Sequence, residues 1–255
     1  MDLHELKSSL HDCRRCGLSS GRTQVVFGTG HPQADIMFVG EAPGFYEDRQ
    51  GEPFVGAAGK LLNELLQSIG LSRADIFIAN VIKCRPPNNR DPLPEEIETC
   101  KPFLLQQIEL IKPKLVCTLG NFATQTLLER KVGITRVRGQ AIRMPNFIVF
   151  PLLHPAAALH QGNLRIPLKE DFQKLKTVLE EMSKTPTLPQ TASPPTLPSS
   201  KTSSKEGNSS RAPHTNEPVL ETIYQFTSRC WVSAQQPRFL AARRHFCFGK
   251  SGQNH

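Results

Sequence analysis

Short apolar runs ending in turn formers alternate, over the first 183 residues, with stretches whose apolar positions recur at helical spacing. The runs at 36–39, 76–79 and 115–119 predict buried strands of a parallel sheet, because strands covered on both faces are continuously apolar. Shorter strands are predicted at 25–27, 137–143 and 147–150. Helices are predicted over 2–11, 57–69, 121–128, 168–182 and from Pro94. This alternation favours an α/β fold, a three-layer α/β/α sandwich around a short, mostly parallel central sheet.

Polar residues stand at the ends of three predicted strands. Glu41 follows the first in the turn Gly40-Glu41-Ala42-Pro43-Gly44, Asn80 follows the second, and His154 lies shortly after the last. In open α/β sheets, ligands bind at the carboxyl edge of the strands, so this placement predicts an active site there. The plainer interpretation of Glu41 alone is an acidic residue in a strand-to-helix turn.

The cysteines divide into groups. Cys117 lies within a predicted strand and is interpreted as a buried apolar residue, while Cys230 and Cys247 lie in the last third of the chain. The other four form one Cys-x-x-Cys pair and two distant singles: Cys13, Cys16, Cys84 and Cys100. Four thiolates suit a 4Fe-4S cluster or zinc, and zinc ribbons usually use two close pairs. The spacing favours the cluster, with zinc and unliganded thiols as alternatives.

Composition changes near residue 184. Residues 184–255 hold 9 of the 31 Lys and Arg but 3 of the 23 Asp and Glu, so most of the net charge of +8 lies there. We therefore expect a folded domain over 1–183, a disordered Pro/Ser/Thr-rich linker over 184–218 and a basic, disordered tail of unknown role over 219–255. A nucleic-acid site in the domain would need locally clustered charge, and candidates lie beside the cysteines: Arg14, Arg15, Lys83, Arg85 and Arg90.

No apolar run reaches the length of a membrane span, and the first five residues lack the features of a signal peptide. We expect a soluble intracellular protein, in which cysteines serve as metal ligands or buried thiols rather than disulfides.

Taken together, four motifs resemble the family 4 uracil-DNA glycosylases, the iron-sulfur branch of the uracil-DNA glycosylase superfamily. The resemblance runs from the Cys-x-x-Cys to about residue 182. It rests on residues 40–44 with Glu47, on 80–87 (Asn-Val-Ile-Lys-Cys-Arg-Pro-Pro), on 119–121 (Leu-Gly-Asn) and on 154–156 (His-Pro-Ala). It implies the α/β/α fold and a monofunctional hydrolase of N-glycosyl bonds that removes uracil from DNA and leaves an abasic site for base excision repair.

The resemblance also implies roles for individual residues. Phe54, which looks exposed in the polar loop 45–56, would stack on the base, and the Asn80 amide would pair with its edge. His154 would donate to a uracil carbonyl and Glu41 would activate water. Glu47 would exclude the methyl group of thymine, and Gly40 would give a backbone contact. The family's ligands match Cys13, Cys16, Cys84 and Cys100, which implies a structural 4Fe-4S cluster.

A loop over 154–165 would contact DNA, with Leu159 or Leu164 as an apolar wedge and Arg165 as a phosphate contact. The expected partners are uracil-containing DNA, single- or double-stranded, and downstream abasic-site repair enzymes. We expect a monomer that makes no membrane contact and is cytoplasmic and nucleoid-associated.

Three alternatives differ in function. A non-catalytic iron-sulfur DNA binder is disfavoured because Glu41, Asn80 and His154 are all present. The superfamily branch trapped covalently on uracil-DNA carries a His-containing basic insertion that the short loop after Asn80 lacks. A zinc-stabilised hydrolase of small molecules would contain zinc instead of iron.

Overall fold

The computed structural model describes residues 1–184, which form one six-stranded sheet with helices on both faces. The strands are β1 (Thr29–Gly30), β2 (Ile36–Gly40), β3 (Ile76–Asn80), β4 (Leu115–Leu119), β5 (Ile142–Arg143) and β6 (Ile148–Leu152). The helices are α1 (Leu3–Leu10), α2 (Phe45–Gln50), α3 (Ala57–Ser68), α4 (Pro94–Ile111), α5 (Asn121–Leu128), α6 (Ile134–Val137), α7 (Pro155–His160) and α8 (Arg165–Lys184). No helix in this part of the chain is long and apolar enough to cross a membrane.

The sheet order is β1-β3-β2-β4-β6-β5. The four central strands are parallel, and the two-residue edge strands β1 and β5 pair antiparallel. Every residue of β2, β3 and β4 is buried, which explains why their sequences are apolar except at Asn80 and Thr118. The predicted mostly parallel sheet is confirmed.

Two apolar layers cover the sheet. On one face α3 and α8 contribute leucines and Phe172, and on the other α1, α4 and α5 contribute Leu6, Phe103 and Leu127. Phe38 of β2 stacks on Phe172 with ring centroids 6.2 Å apart. The three-layer α/β/α sandwich is therefore confirmed.

Several predicted elements differ from the structure. Residues 25–27 are not a strand, although the Val26 N–H donates to the Lys83 carbonyl at 2.8 Å, and the strand instead begins at Thr29. The predicted strand 137–143 is split between the end of α6 and β5. The predicted loops contain helices: α2 lies within 45–56, and α7 with a 3-10 turn occupies most of 154–165. Pro155 at the first position of α7 suits a helix start, because its missing N–H would have had no partner there.

The last described helix extends to Lys184, one residue past the predicted domain boundary. The predicted linker beyond that residue and the predicted tail at 219–255 lie outside the described residues.

Candidate active site

A pocket of about 380 Å³ opens at the carboxyl edge of the parallel strands, where β2 and β3 end next to each other and β6 ends on the far side of β4. It brings together five of the residues singled out from the sequence: Glu41, Glu47, Phe54, Asn80 and His154. Sequence reasoning assigned no role to several other lining residues, among them Asn89, Ala156 and His160. Arg90, considered only as a basic candidate, also lines the pocket.

Asn80 contributes an unsatisfied acceptor to this pocket. Its side chain is buried, and its Oδ1 is, among residues 1–184, the one buried side-chain oxygen or nitrogen without a hydrogen-bond partner. Buried polar atoms usually have partners, so an orphaned acceptor in a pocket indicates a ligand N–H. The backbone beside it is fixed by register, since Gly40 lies opposite Asn80 and the Val81 N–H donates to the Gly40 carbonyl at 2.9 Å.

Gly40 is required by close packing. A Cβ at this position would overlap Asn80 Oδ1 and lie 2.8 Å from the Phe54 ring. The absence of a side chain therefore lets the amide of Asn80 and the ring of Phe54 approach each other in the pocket.

Lys83 lies beneath Asn80 and is 1% exposed. Its Nζ donates to the Asn80 carbonyl at 2.7 Å and to Gln107 Oε1 at 2.6 Å, and Gln107 Nε2 donates to the Phe27 carbonyl at 2.8 Å. The interpretation of Lys83 as a basic candidate for a nucleic-acid site is therefore wrong. Lysine is rarely buried, so only the tertiary structure shows that this cation fixes the end of β3.

His154 precedes α7, and its Nδ1 accepts a hydrogen bond from the Ala156 N–H at 3.1 Å. A neutral ring that accepts at Nδ1 carries its proton on Nε2, which leaves Nε2–H as a donor. Burial lowers the pKa of His154 to about 4, so the ring is neutral near pH 7. The site thus contains a neutral imidazole with a fixed tautomer.

Phe54 is 6% exposed, which corrects its interpretation as an exposed loop residue. Its ring lies against His154 with centroids 5.6 Å apart and 30° between the planes, and its φ of 56° is in the left-handed region. Such a conformation is uncommon for a bulky residue and requires support from its surroundings. Arg73 gives that support by donating to the Phe54 carbonyl at 2.9 Å and to the Pro53 carbonyl at 2.6 Å.

Glu41 follows β2 and lines the pocket half-buried. Burial, and to a smaller extent the charge of Asp91, raise the pKa of Glu41 to about 7. A carboxylate with such a pKa suits a base that takes a proton from water near neutral pH.

Glu47 belongs to α2 and folds back against the turn before it. Its Oε1 accepts a hydrogen bond from the Gly56 N–H at 3.2 Å, and a Cβ at Gly44 would lie 2.7 Å from its Oε2. This carboxylate therefore connects the first turn of α2 to the start of α3 along the wall of the pocket.

Cys13, Cys16, Cys84 and Cys100 all line one small cavity, and none forms a disulfide. Arg22 Nη1 donates to Cys84 Sγ at 3.3 Å. Burial raises the pKa of Cys84, and Arg22 opposes this; burial likewise raises the pKa of Cys100, and Lys83 opposes it. Four converging thiols with two compensating cations fit the donor set of an iron-sulfur cluster. The fit lies in the type and number of donors and not in a preformed coordination geometry, because no His, Cys, Asp or Glu group within residues 1–184 is arranged to hold a metal ion.

The residues proposed for DNA contact lie on and after α7. Leu159 is 39% exposed, whereas Leu164 packs partly buried against the core, and Arg165 is exposed at the start of α8. Among the basic candidates, Arg15 lies over the Phe103 ring at 4.8 Å and Arg90 pairs with Glu96 at 2.7 Å.

Comparison with known proteins agrees with this geometry. The family model for the uracil DNA glycosylase superfamily matches residues 27–181. The type-4 uracil-DNA glycosylase of Sulfurisphaera tokodaii is 49% identical over 183 residues, covering 68% of this chain and 83% of the relative. The type-4 uracil-DNA glycosylase of Archaeoglobus fulgidus is 46% identical over 181 residues, which cover 68% of this chain and 91% of the relative. The type-4 uracil-DNA glycosylase of Thermotoga maritima is 46% identical over 173 residues, which cover 66% of this chain and 90% of the relative.

The family model covers more than half of the chain, and each of these relatives is matched over most of its own length. The matched region contains β2, β3 and β6, whose ends form the pocket. The chain belongs to the uracil DNA glycosylase superfamily and, within it, to the type-4 uracil-DNA glycosylases.

Proposed function

We propose that this chain is a monofunctional uracil-DNA glycosylase, which flips uracil out of DNA and hydrolyses its N-glycosidic bond. The observation that carries the proposal is the orphaned Oδ1 of Asn80 in a pocket that also holds Glu41 and a neutral His154. The names of the relatives support the same substrate.

Recognition of uracil follows from the amide of Asn80. Its Oδ1 accepts the N3–H of uracil, and its Nδ2 donates to an adjacent carbonyl. Cytosine presents an acceptor at N3 and an amino donor beside it. The acceptor would face Oδ1 and the donor would face Nδ2, so neither hydrogen bond forms and cytosine is rejected. The ring of Phe54 stacks on the base, which must leave the helix because its glycosidic bond is unreachable inside a duplex.

Cleavage breaks the bond between C1′ and uracil N1, and the bonding electron pair leaves with the base. His154 Nε2–H donates to the uracil carbonyl where negative charge develops, and a neutral donor there avoids the cost of burying an imidazolium. Water attacks C1′ as Glu41 takes its proton, and the ionised carboxylate also stabilises the positive charge on the sugar. The departing uracil anion takes up a proton at N1 from solvent and Glu41 returns its proton to solvent, so the products are free uracil and an abasic site.

Exclusion of thymine is assigned to Glu47, whose position on the pocket wall is fixed by the Gly56 N–H. The 5-methyl group of thymine would clash with this carboxylate, whereas the smaller hydrogen at C5 of uracil would fit beside it. Gly40 adds a backbone contact beside the base.

The four cysteines would hold a 4Fe-4S cluster that connects the segment after α1 to the Cys84 loop and to α4. The group supplies structural cross-linking in this proposal, and no catalytic step uses it. Support comes from the shared cavity and from the hydrogen bond that Arg22 gives to Cys84.

Leu159 or Leu164 would occupy the space left by the flipped base, and Arg165 would contact phosphate. The substrate is uracil-containing DNA, single- or double-stranded, and the abasic product passes to downstream repair enzymes. The protein acts as a monomer in the cytoplasm, at the nucleoid.

The test is cleavage of a single-uracil oligonucleotide by anaerobically purified protein, with alkali to reveal abasic sites. We expect uracil-dependent cleavage that falls by about 100-fold or more in Glu41→Gln, because removing a general base costs roughly two to four orders of magnitude. Glu64→Gln, an exposed change on α3, is the matched control and should cleave like the wild type.

An identical oligonucleotide with thymine should remain intact. Absence of uracil cleavage by protein that contains its iron would contradict the proposal and favour a non-catalytic DNA binder.

A further inference from the structure

Two aromatic side chains at the start of α2 are exposed beside the pocket. Phe45 is 42% exposed and Tyr46 is 60% exposed, and their rings meet edge to face at 5.4 Å. They directly follow Gly44 and precede Glu47, both of which line the pocket. Adjacent exposed aromatic rings at the rim of a site indicate a contact surface, because water is a poor environment for them.

Two arginines lie against the Phe45 ring. The guanidinium carbons of Arg49 and Arg85 lie 5.5 Å and 5.0 Å from the centre of the Phe45 ring. Arg85 Nε also donates at 2.7 Å to Oδ1 of Asn89, a residue that lines the pocket. Within residues 1–184 neither arginine forms an ion pair with a carboxylate. Their positive charge is therefore available to an anionic partner.

We infer that Phe45, Tyr46, Arg49 and Arg85 form a stacking platform for the nucleotide next to the uracil on the same DNA strand. This inference rests on the proposed function. A base held in the pocket places its sugar and phosphates at the mouth, so the neighbouring nucleotide lies against the rim. A single DNA strand offers both groups that the platform fits, a flat base for the rings and phosphates for the guanidinium groups.

The platform differs from the role proposed for Leu159. An apolar wedge acts on a duplex by filling the space that the uracil leaves, whereas the rings of Phe45 and Tyr46 stack on a base that is already unpaired. Stacking tolerates any base, because every base has an aromatic face. The platform thus selects for an unstacked neighbour rather than for a sequence.

The test uses the full-length protein and a single strand with 2′-fluoro-2′-deoxyuridine, whose glycosidic bond resists cleavage. Dissociation constants are measured by fluorescence anisotropy for this strand and for one in which both neighbours of the uracil lack a base. We expect Tyr46→Ala to weaken binding of the first strand about 10-fold and to leave binding of the second unchanged. Tyr46→Phe keeps the ring and should bind both strands like the wild type.

Equal weakening on both strands would mean that Tyr46 does not stack on a neighbouring base, and unchanged binding of the first strand would assign the exposed rings to another partner. Either result overturns the inference. In a second measurement, Arg85→Ala should reduce the slope of log Kd against log salt by about 0.7, the value for one lost phosphate contact on a single strand. An unchanged slope would remove Arg85 from the platform.

Failure of the proposed function is separately visible. Wild-type protein that does not excise uracil from an ordinary strand would overturn both the function and the platform. Normal excision together with unaltered binding by Tyr46→Ala would overturn the platform alone.

Discussion

The guanidinium of Arg73 donates a hydrogen bond to the carbonyl oxygen of Phe54, 19 positions earlier in the chain, at 2.9 Å. Phe54 lies at the pocket with a left-handed backbone, and Arg73 also holds the preceding carbonyl of Pro53. A residue that does not line the pocket therefore fixes the conformation of an aromatic ring that does.

Replacing Arg73 with Met should release this segment and weaken stacking of the base on Phe54. We expect KM for a uracil strand to rise about 10-fold while kcat changes less, because stacking contributes mainly to binding. Arg73→Lys keeps the charge but loses the two-pronged geometry and should recover only part of the loss. Arg143→Met, at an exposed site on β5, is the control. A fall in kcat without a rise in KM for Arg73→Met would contradict the positioning role of Arg73.

The pH profile should report the ionisation of Glu41. Its pKa is raised to about 7 and water activation needs the ionised form, so kcat/KM should rise with pH up to about 7 and then level off. His154, with a pKa lowered to about 4, stays neutral from pH 5 to 8. Its ionisation therefore causes no second change of kcat/KM in that range. The measurement is excision rate against pH at constant ionic strength.

The charge of Asp91 contributes to the raised pKa of Glu41. Asp91→Asn removes a like charge, which makes ionisation of Glu41 easier, so the acid limb should move to lower pH. A limb that stays in place, or moves to higher pH, would show that Asp91 does not act on Glu41.

Gly40→Ala tests the packing between Asn80 and Phe54. The added methyl group would displace one or both side chains, and a misplacement of about 1 Å can cost about 100-fold in rate. We expect excision to fall by that order. Gly21→Ala, where a Cβ meets no atom within 4 Å, should retain activity. The melting temperatures of both variants show whether a loss of activity comes from a local displacement or from unfolding. Full activity of Gly40→Ala would refute the proposed packing constraint.

The cysteine cavity predicts which thiols hold metal. Cys84→Ser should lower iron and acid-labile sulfide per chain, because it removes one ligand of the proposed cluster. Cys117→Ala should retain both, since Cys117 is buried within β4. Elemental analysis of anaerobically purified protein is the measurement, and zinc in place of iron would overturn the assignment of a 4Fe-4S cluster.

Leu159 and Leu164 should respond differently to truncation. Leu159 is exposed at the end of α7, so Leu159→Ala should reduce excision from duplex DNA roughly 10-fold and from single strands much less. Leu164 packs against the core, so Leu164→Ala should lower the melting temperature instead. Equal losses on duplex and single-stranded substrates would exclude a wedge at Leu159.

The central strands were predictable because burial on both faces gives β2, β3 and β4 almost entirely apolar sequences. The ends of β2, β3 and the last strand, β6, could then be placed at one edge of the sheet, which located Glu41, Asn80 and His154 together. Helix α2 was missed because its six residues, mostly polar and exposed, carry no apolar periodicity. The start of α7 had a local signal in Pro155 that the loop interpretation did not use.

Other features of the site depend on contacts that no local pattern contains. Arg73 reaches the carbonyl of Phe54 across 19 positions, and Gln107 reaches that of Phe27 across 80. The burial of Lys83 is contrary to the usual preference of lysine, so sequence reasoning grouped this residue with the basic candidates for a nucleic-acid site. Such residues are visible only after the fold has brought distant segments together.

Because Lys83 is buried, the chemical reactivity of its amine can report transient opening of the structure between the end of β3 and α4. Amine-reactive reagents modify accessible lysines readily, but the Nζ of Lys83 is enclosed and donates to the Asn80 carbonyl and to Gln107. Labelling of Lys83, located by mass spectrometry after brief exposure to such a reagent, therefore requires the end of β3 to separate from α4. Its rate, compared with that of exposed Lys60 on α3, measures how often the molecule transiently loses the arrangement that holds Asn80 in place.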